Sequence, residues 1–327
     1  MADKPLLELG RARMVKGRDF SIRLPLMERL RAARGVKQAV VKVASYAHGM
    51  GRVQGMVDYI SRQGKLELET ESGERILDRE QGKALISNWS RDFDNSARSR
   101  DAVHMVFSMP QDSKVEALRA SVRTVGARAF PDCEWVFGIH EDKSHPHAHM
   151  VVKMRGREKD KKLRLNKPEL YKLREIFAEA AREQGVRLAA SPRAARGVGR
   201  KADRQAVYRL RQKGIIPDID KQTARELLSE LNRGFVRERP WEKAMRERNE
   251  RERRTYLEYA QKLRATAAQE KIRQDPGELQ KYLKAVADLE RFARIMPRPK
   301  TRRQMILEKT KIRVQQKTKD RGMEMEL

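Results

Sequence analysis

His140-Glu141-Asp142-Lys143-Ser144-His145-Pro146-His147-Ala148-His149 holds four of the chain's six histidines and runs straight into the apolar Met150-Val151-Val152. Neutral imidazoles gathered in so short a segment are most readily explained by a shared metal ion. The apolar continuation reads as a β-strand, in which residues two apart project from one face. His147 and His149 then share a face while Ala148 turns into the core. His140 lies far enough upstream to sit on a neighbouring strand that returns through a turn at Lys143-Ser144. Three side chains so placed can converge on one ion and leave its other positions open, which separates catalytic from structural sites.

Outward from this segment, strands and helices alternate irregularly. Strands are expected at 38–45, 66–70, 74–77, 101–110, 134–139 and 147–154, the second and third joined as a hairpin through Glu71-Ser72-Gly73. Helices are expected at 50–63, ended by Gly64, at 79–93, at 113–130 behind Ser113 as N-cap, and at 166–184 opened by Asn166-Lys167-Pro168. That mixture predicts an α+β domain in which helices cover an antiparallel sheet. Past Ala189 the texture changes to a small-residue basic linker and then to helical periodicity throughout. The division expected is a loosely structured basic arm at 1–36, a catalytic domain at 37–190, a linker at 191–202 and a basic helical region at 203–327.

Charge names the class of partner. Lys and Arg total 74 against 46 acidic residues, a net +28, and such an excess calls for a polyanion, most commonly nucleic acid. The single cysteine, Cys133, excludes a disulfide framework and a cysteine-rich zinc finger. No secretory pattern opens the chain, and no apolar run nears the roughly 20 residues of a membrane helix. A start in the cytoplasm without membrane insertion is expected.

A metal among histidines and a polyanionic partner suggest phosphodiester chemistry, which needs a nucleophile. Tyr59 is the best-placed candidate, in Asp58-Tyr59-Ile60-Ser61-Arg62-Gln63-Gly64-Lys65 near the end of the first clear helix. Phenols titrate near pH 10, so the group needs help at neutral pH. A divalent ion on the scissile phosphate would supply it, and Arg62 and Lys65 would steady a phenolate or adjacent phosphates. No Gly-rich phosphate loop of the nucleotide-hydrolase type is present.

The tyrosine segment, the later Phe107-Ser108-Met109-Pro110 and the histidine segment resemble, in order and spacing, the three motifs of conjugative relaxases. Within that group the similarity is to the P-type mobilisation (MobP) family and its Ti-plasmid border endonucleases, over roughly residues 37–190. The resemblance implies the His-hydrophobic-His endonuclease fold, a five-stranded antiparallel sheet flanked by helices. It implies Tyr59 as the nucleophile that stays joined to the DNA 5′ end. His140, His147 and His149 become the ligands of a divalent ion (Mn or Mg in activity, with Zn, Ni or Co alternatives). Asp142 orients the first histidine or helps deprotonate the tyrosine, and Ser108 contacts DNA near the nick. The function implied is strand-specific nicking and rejoining at an origin of transfer, followed by piloting of the single strand from a bacterial cytoplasm into a recipient. Implied partners are single-stranded DNA, accessory relaxosome proteins and a type IV coupling protein and secretion system.

Other readings compete with these. His145 reads as a turn or orienting residue, and His104, inside an apolar strand, as a hydrogen-bonded core histidine. Tyr46 is a second nucleophile candidate but lacks the motif. Trp89, Trp135 and Trp241 read as core, and the charged run Arg246 to Arg254 as a solvated helix face. A rolling-circle initiator or transposase would share the chemistry, yet there the tyrosine commonly follows the histidines. A non-catalytic basic protein with a structural metal is the remaining alternative.

Overall fold

The computed structural model describes residues 24–94, 99–142, 144–157, 162–199 and 203–312. It divides into two compact units, Gly35–Ala190 and a second made of the residues up to Arg34 together with those from Ser191 onward. Helix α1 (Leu26–Ala33) belongs to the second unit.

The first unit is α+β. Its strands are β1 (Val40–Ala47), β2 (Leu68–Thr70), β3 (Arg75–Ile76), β4 (Ala102–Ser108), β5 (Trp135–His140) and β6 (His147–Lys153). Its helices are α2 (Met50–Ile60), α3 (Arg79–Ser90), α4 (Val115–Ala129) and α5 (Lys167–Glu183). The strands form one antiparallel sheet in the order β1-β4-β6-β5-β2-β3. Among the described residues the count is six where the family resemblance implied five. The sixth is the two-residue β3, which pairs Leu68 with Ile76 and Glu69 with Arg75 to finish one edge.

Alternation along the strands divides the side chains between two faces. On one face Val103, Met105, Phe107, Ala148, Met150 and Val152 pack under α4 and α5, against Leu118, Val122, Leu173 and Phe177. The opposite face carries Ala102, Val136 and Val151 beneath Val53, Val57 and Ile60 of α2 and Ile86 and Trp89 of α3. His104, His140, His147 and His149 occupy the same alternate positions as this second set. The polar cluster therefore continues an apolar face that helix α2 covers.

Local signals explain most boundaries. Asn166 accepts from the Glu169 backbone N–H while Glu169 caps back, a reciprocal box with Pro168 in the first turn. Asp78 caps α3 through Gln81 N–H at 2.8 Å. Ser113 is not the cap of α4, which begins behind Lys114 without a side-chain cap; Ser113 instead donates its N–H to the Pro110 carbonyl in a turn.

The second unit adds α6 (Gln205–Gln212), α7 (Asp218–Asn232), α8 (Pro240–Ala267), α9 (Glu270–Arg273) and α10 (Pro276–Ile295). Residues 26–33, read from sequence as part of a loose arm, are helical because Leu26, Leu30 and Ala33 pack on Tyr256, Leu263 and Leu289; residues 1–23 lie outside those described. In the linker segment Ala195 is buried and accepts a 2.7 Å bond from the Tyr256 hydroxyl, while 200–202 lie outside the described residues. Nor is the run from Arg246 to Arg254 solvated throughout. Asn249 is buried with its amide on the Pro297 carbonyl at 3.1 Å, and Arg253 donates to the Ala293 carbonyl at 2.5 Å near the end of α10.

One buried carboxylate fixes the start of α2. Asp101, 4% exposed, accepts from Gly49 N–H at 2.8 Å, Asp94 N–H at 3.3 Å and Ser99 Oγ at 3.1 Å, and faces His48 at 2.8 Å. Burial would raise its pKa, but those bonds outweigh burial and hold it below the usual carboxylate range. A depressed acid contributes stability that is present above its unfolded pKa, about 3.9, and lost as pH falls through its folded value. Asp101→Asn should therefore cost about 1–3 kcal/mol at pH 7. It should also flatten the loss of stability below about pH 4, as chemical denaturation across pH would show.

Candidate active site

The site is built where α2 ends over the centre of the sheet. His140 closes β5 and is the register partner of His147 at the start of β6, while His149 pairs with Gly138. All three imidazoles are buried, at 4–5% exposure, and offer ligand nitrogens within 4.8 Å of one another. Nitrogen–metal bonds of about 2.1 Å would place tetrahedral ligands about 3.4 Å apart, so closure on an ion asks each ring to move by less than about 1 Å.

A hydrogen bond fixes each ring. His140 Nε2 meets the Ile60 carbonyl at 2.9 Å, His147 Nδ1 the His145 carbonyl at 3.2 Å, and His149 Nδ1 the Nε2 of His104 at 2.8 Å. Each imidazole can offer one nitrogen to a shared cation. Orientation of ligating histidines by a carbonyl or another outer group is the usual arrangement around metals. His104 is thus hydrogen-bonded as expected but stands against a site histidine rather than inside the apolar core. Burial first, then the nearby His140, pushes its pKa down to about 4, so it stays neutral at physiological pH.

Helix α2 can come this close because of Gly138. A Cβ there would lie 2.6 Å from Leu68 Cδ2 and 3.0 Å from the Ile60 carbonyl oxygen, the atom that holds His140. Sequence reasoning missed this residue. Its signal was a glycine inside an otherwise continuous apolar strand, which marks close approach of another backbone.

Tyr59, the penultimate residue of α2, is 57% exposed. Its ring centroid lies 5.5 Å from that of His149, 5.8 Å from His104 and 6.2 Å from His140. The phenol is therefore both beside the histidines and open to solvent. Asp58, buried next to it, accepts from Arg79 at 2.8 Å and Gln54 at 2.8 Å, tying α2 to α3. Desolvation would raise the Asp58 pKa; the bonds from Arg79 and Gln54 hold it low.

After Tyr59 the chain makes an unusual stop. Arg62, Gln63 and Gly64 all have positive φ, at 51°, 62° and 81°. Only Gly64 adopts this region without cost, and a Cβ on it would lie 2.7 Å from the Arg79 backbone nitrogen. Two strained residues in succession just after Tyr59 are held by the surrounding bonds, Gln63 N–H to the Asp58 carbonyl at 2.7 Å and Leu66 N–H to the Ser61 carbonyl at 2.8 Å. The turn delivers Arg62 to Asp142 at 2.9 Å.

Asp142 lies 3.8 Å from His147 Nε2. Desolvation would raise its pKa, but Arg62 above all, then a backbone N–H, His147 and His140, keep it below the usual range. Lys65 is exposed and shares no ion pair among the described residues. Ser108 ends β4 opposite His147 and lines an open groove of about 470 Å³ with Lys37, Lys42, Gln111 and His145. His145 itself is exposed and contributes its carbonyl rather than its ring. Tyr46 packs under Arg100, 4.3 Å above its ring, and beside the core on the far face of the sheet. Glu69 of β2 clamps Arg123 of α4 in two bonds of 2.5 and 2.9 Å.

The chain is similar in sequence to known proteins. Residues 59–186 match the family model of the MobA/VirD2-like relaxase nuclease domain. The T-DNA border endonuclease VirD2 of Rhizobium radiobacter is 26% identical over 213 residues, 56% of this chain and 50% of that protein. The T-DNA border endonuclease VirD2 of Agrobacterium fabrum is 28% identical over 180 residues, 48% and 40% of the two chains. This chain thus spans half or less of the length of these curated relatives. A solved structure described as "Molecular Basis of Vancomycin Resistance Transfer in Staphylococcus aureus" aligns at 12% identity and a TM-score of 0.33, over 47% of this chain and 99% of that one.

Gly138→Ala should press on the Ile60 carbonyl, loosen His140 and weaken Mn²⁺ or Zn²⁺ binding about 10- to 100-fold while the sheet stays folded. Calorimetric titration beside circular dichroism checks this; unchanged metal affinity would show that the close approach is not what orients the ligand.

Proposed function

We propose that the chain nicks and rejoins one DNA strand at an origin of transfer, a reading supported by the match of residues 59–186 to the MobA/VirD2-like relaxase nuclease model. Tyr59 is the nucleophile. The observation that carries this reading is the solvent-open phenol within 5.5–6.2 Å of three buried imidazoles, two of which belong to the clustered triad.

His140, His147 and His149 would hold a divalent ion, which when bound withdraws charge from the scissile phosphate and the departing 3′ oxygen. Three imidazoles suit Mn, Zn, Ni or Co, while Mg prefers oxygen ligands. The Tyr59 Oη forms a bond to phosphorus as the phosphorus–O3′ bond breaks. The phenol gives up its proton and the 3′ oxygen ends as a hydroxyl. One phosphodiester replaces another, so the strand can be resealed without nucleotide hydrolysis. Asp142 holds Arg62 at 2.9 Å and places negative charge 3.8 Å from His147 Nε2. Arg62 and Lys65 contact phosphates around the nick. Ser108, with Lys37 and Lys42 beside it in the groove, guides the strand past His147.

The wider role follows from the same chemistry. A strand joined to Tyr59 travels with the protein, through accessory relaxosome proteins, a coupling protein and a type IV secretion system, into a recipient cell. The basic helical unit serves as the region those partners bind.

The test uses a labelled single-stranded oligonucleotide carrying the origin sequence, with Mn²⁺ or Mg²⁺ present. Denaturing gels should show a protein–DNA adduct that disappears with Tyr59→Phe and with chelator. An adduct that persists in Tyr59→Phe would remove Tyr59 from the reaction.

A further inference from the structure

The helical unit carries an aromatic, cationic cleft that the nicking reaction does not use. The cleft measures about 600 Å³ and lies between the start of α8, the segment around Ala194–Gly199, and Pro299–Arg302. Trp241, Ala244, Met245 and Arg248 share its wall, with the 3-, 4- and 7-residue spacing of one helix face. Among the described residues its aromatic end is left open, with Trp241 61% exposed. The other two tryptophans behave differently: Trp89 is 0% and Trp135 3% exposed. The expectation that all three are core residues fails at Trp241 alone.

The floor is apolar and tight. A Cβ at Gly199 would sit 2.5 Å from Met245 Sδ and 2.7 Å from Pro299 Cβ, so a bare backbone stretch forms one side. The rim is cationic, and unevenly neutralised. Arg302 is committed to Asp220 at 2.6 Å and Lys300 to Glu308 at 2.7 Å. Arg193 and Arg248 are exposed and share no ion pair among the described residues. The nearby carboxylates of Glu230 and Glu242 are engaged by Arg303 and are not on offer to them.

An exposed indole beside an apolar slot and two uncompensated guanidinium groups is complementary to an unpaired base with its flanking phosphates. From this geometry we infer that the helical unit binds single-stranded DNA at this cleft, with Trp241 stacking on a base and Arg193 and Arg248 taking phosphates. A duplex keeps its base faces stacked on one another and cannot offer one to an indole. The inference stands apart from Tyr59 and the histidines: it concerns holding a strand, not cutting it.

The buried state of Trp89 and Trp135 makes Trp241 a reporter. Titrating the full chain with an oligothymidylate that lacks any nick sequence should quench its tryptophan fluorescence. Trp241→Ala should abolish that quenching and weaken binding about ten-fold, the loss expected for one stacked base. Trp241→Phe, which keeps a stacking face, should retain most of the affinity. Replacing Arg193 and Arg248 by Gln should lower the slope of log affinity against log salt by about 0.7 for each phosphate no longer neutralised. Covalent adduct formation on a short nick-site oligonucleotide should be the same in all these variants, which separates failure here from failure of the nicking assignment. No quenching in the wild type, or affinity indifferent to Trp241→Ala, overturns the inference. So does equal quenching by a poly-glutamate peptide of matched charge, which would make the cleft a seat for an acidic protein segment.

Discussion

The close approach of one carbonyl to one glycine sets the geometry of this site. Ile60 ends α2 with its oxygen at hydrogen-bonding distance from His140, and a Cβ at position 138 would press to 3.0 Å from that oxygen, so the glycine eases the helix end's approach. The same approach brings Tyr59, one residue earlier, to the edge of the histidine rings. The orientation of His140 and the placement of Tyr59 are therefore one packing decision rather than two. The bond that fixes His140 spans 80 residues of sequence, so the site exists only once the sheet has closed.

Two further devices keep the helix end in place. At its start Asp101 takes the Gly49 N–H, and at its finish Asp58 binds Arg79 of α3. Beyond the finish, successive left-handed residues reverse the chain so abruptly that Arg62 returns toward Asp142. Strain of this kind persists only where the surroundings over-determine it. Here those surroundings are the buried carboxylates and the backbone bonds across the turn.

Much of this was legible in the residues. Period-two alternation placed β4, β5 and β6 to within a residue or two, and put His147 and His149 on one face with Ala148 opposite. Spacing put His140 on the adjacent strand, where it is paired with His147. What alternation cannot report is a long-range partner. Helix α1 hides among arginines because its apolar face is completed by Tyr256 and Leu289, more than two hundred residues away. Gly138 reads as an irregularity until Ile60 is seen against it. Trp241 looks like any tryptophan, since exposure is set by which helices fail to cover it. His104 differs only in degree: a polar residue inside an apolar strand announces a bond, but not that the partner would be a site histidine.

The chain order of the two units has a practical side. The α+β unit is an insertion: the chain enters the helical core through α1, leaves to build the sheet, and comes back at Ser191. Leu26 and Leu30 owe their burial to residues supplied by the far end of the sequence. A fragment cut after Ala190 would strand that helix with a greasy, uncovered side, inviting self-association. One that also begins at Gly35 would discard the orphan together with its partner and keep the sheet whole.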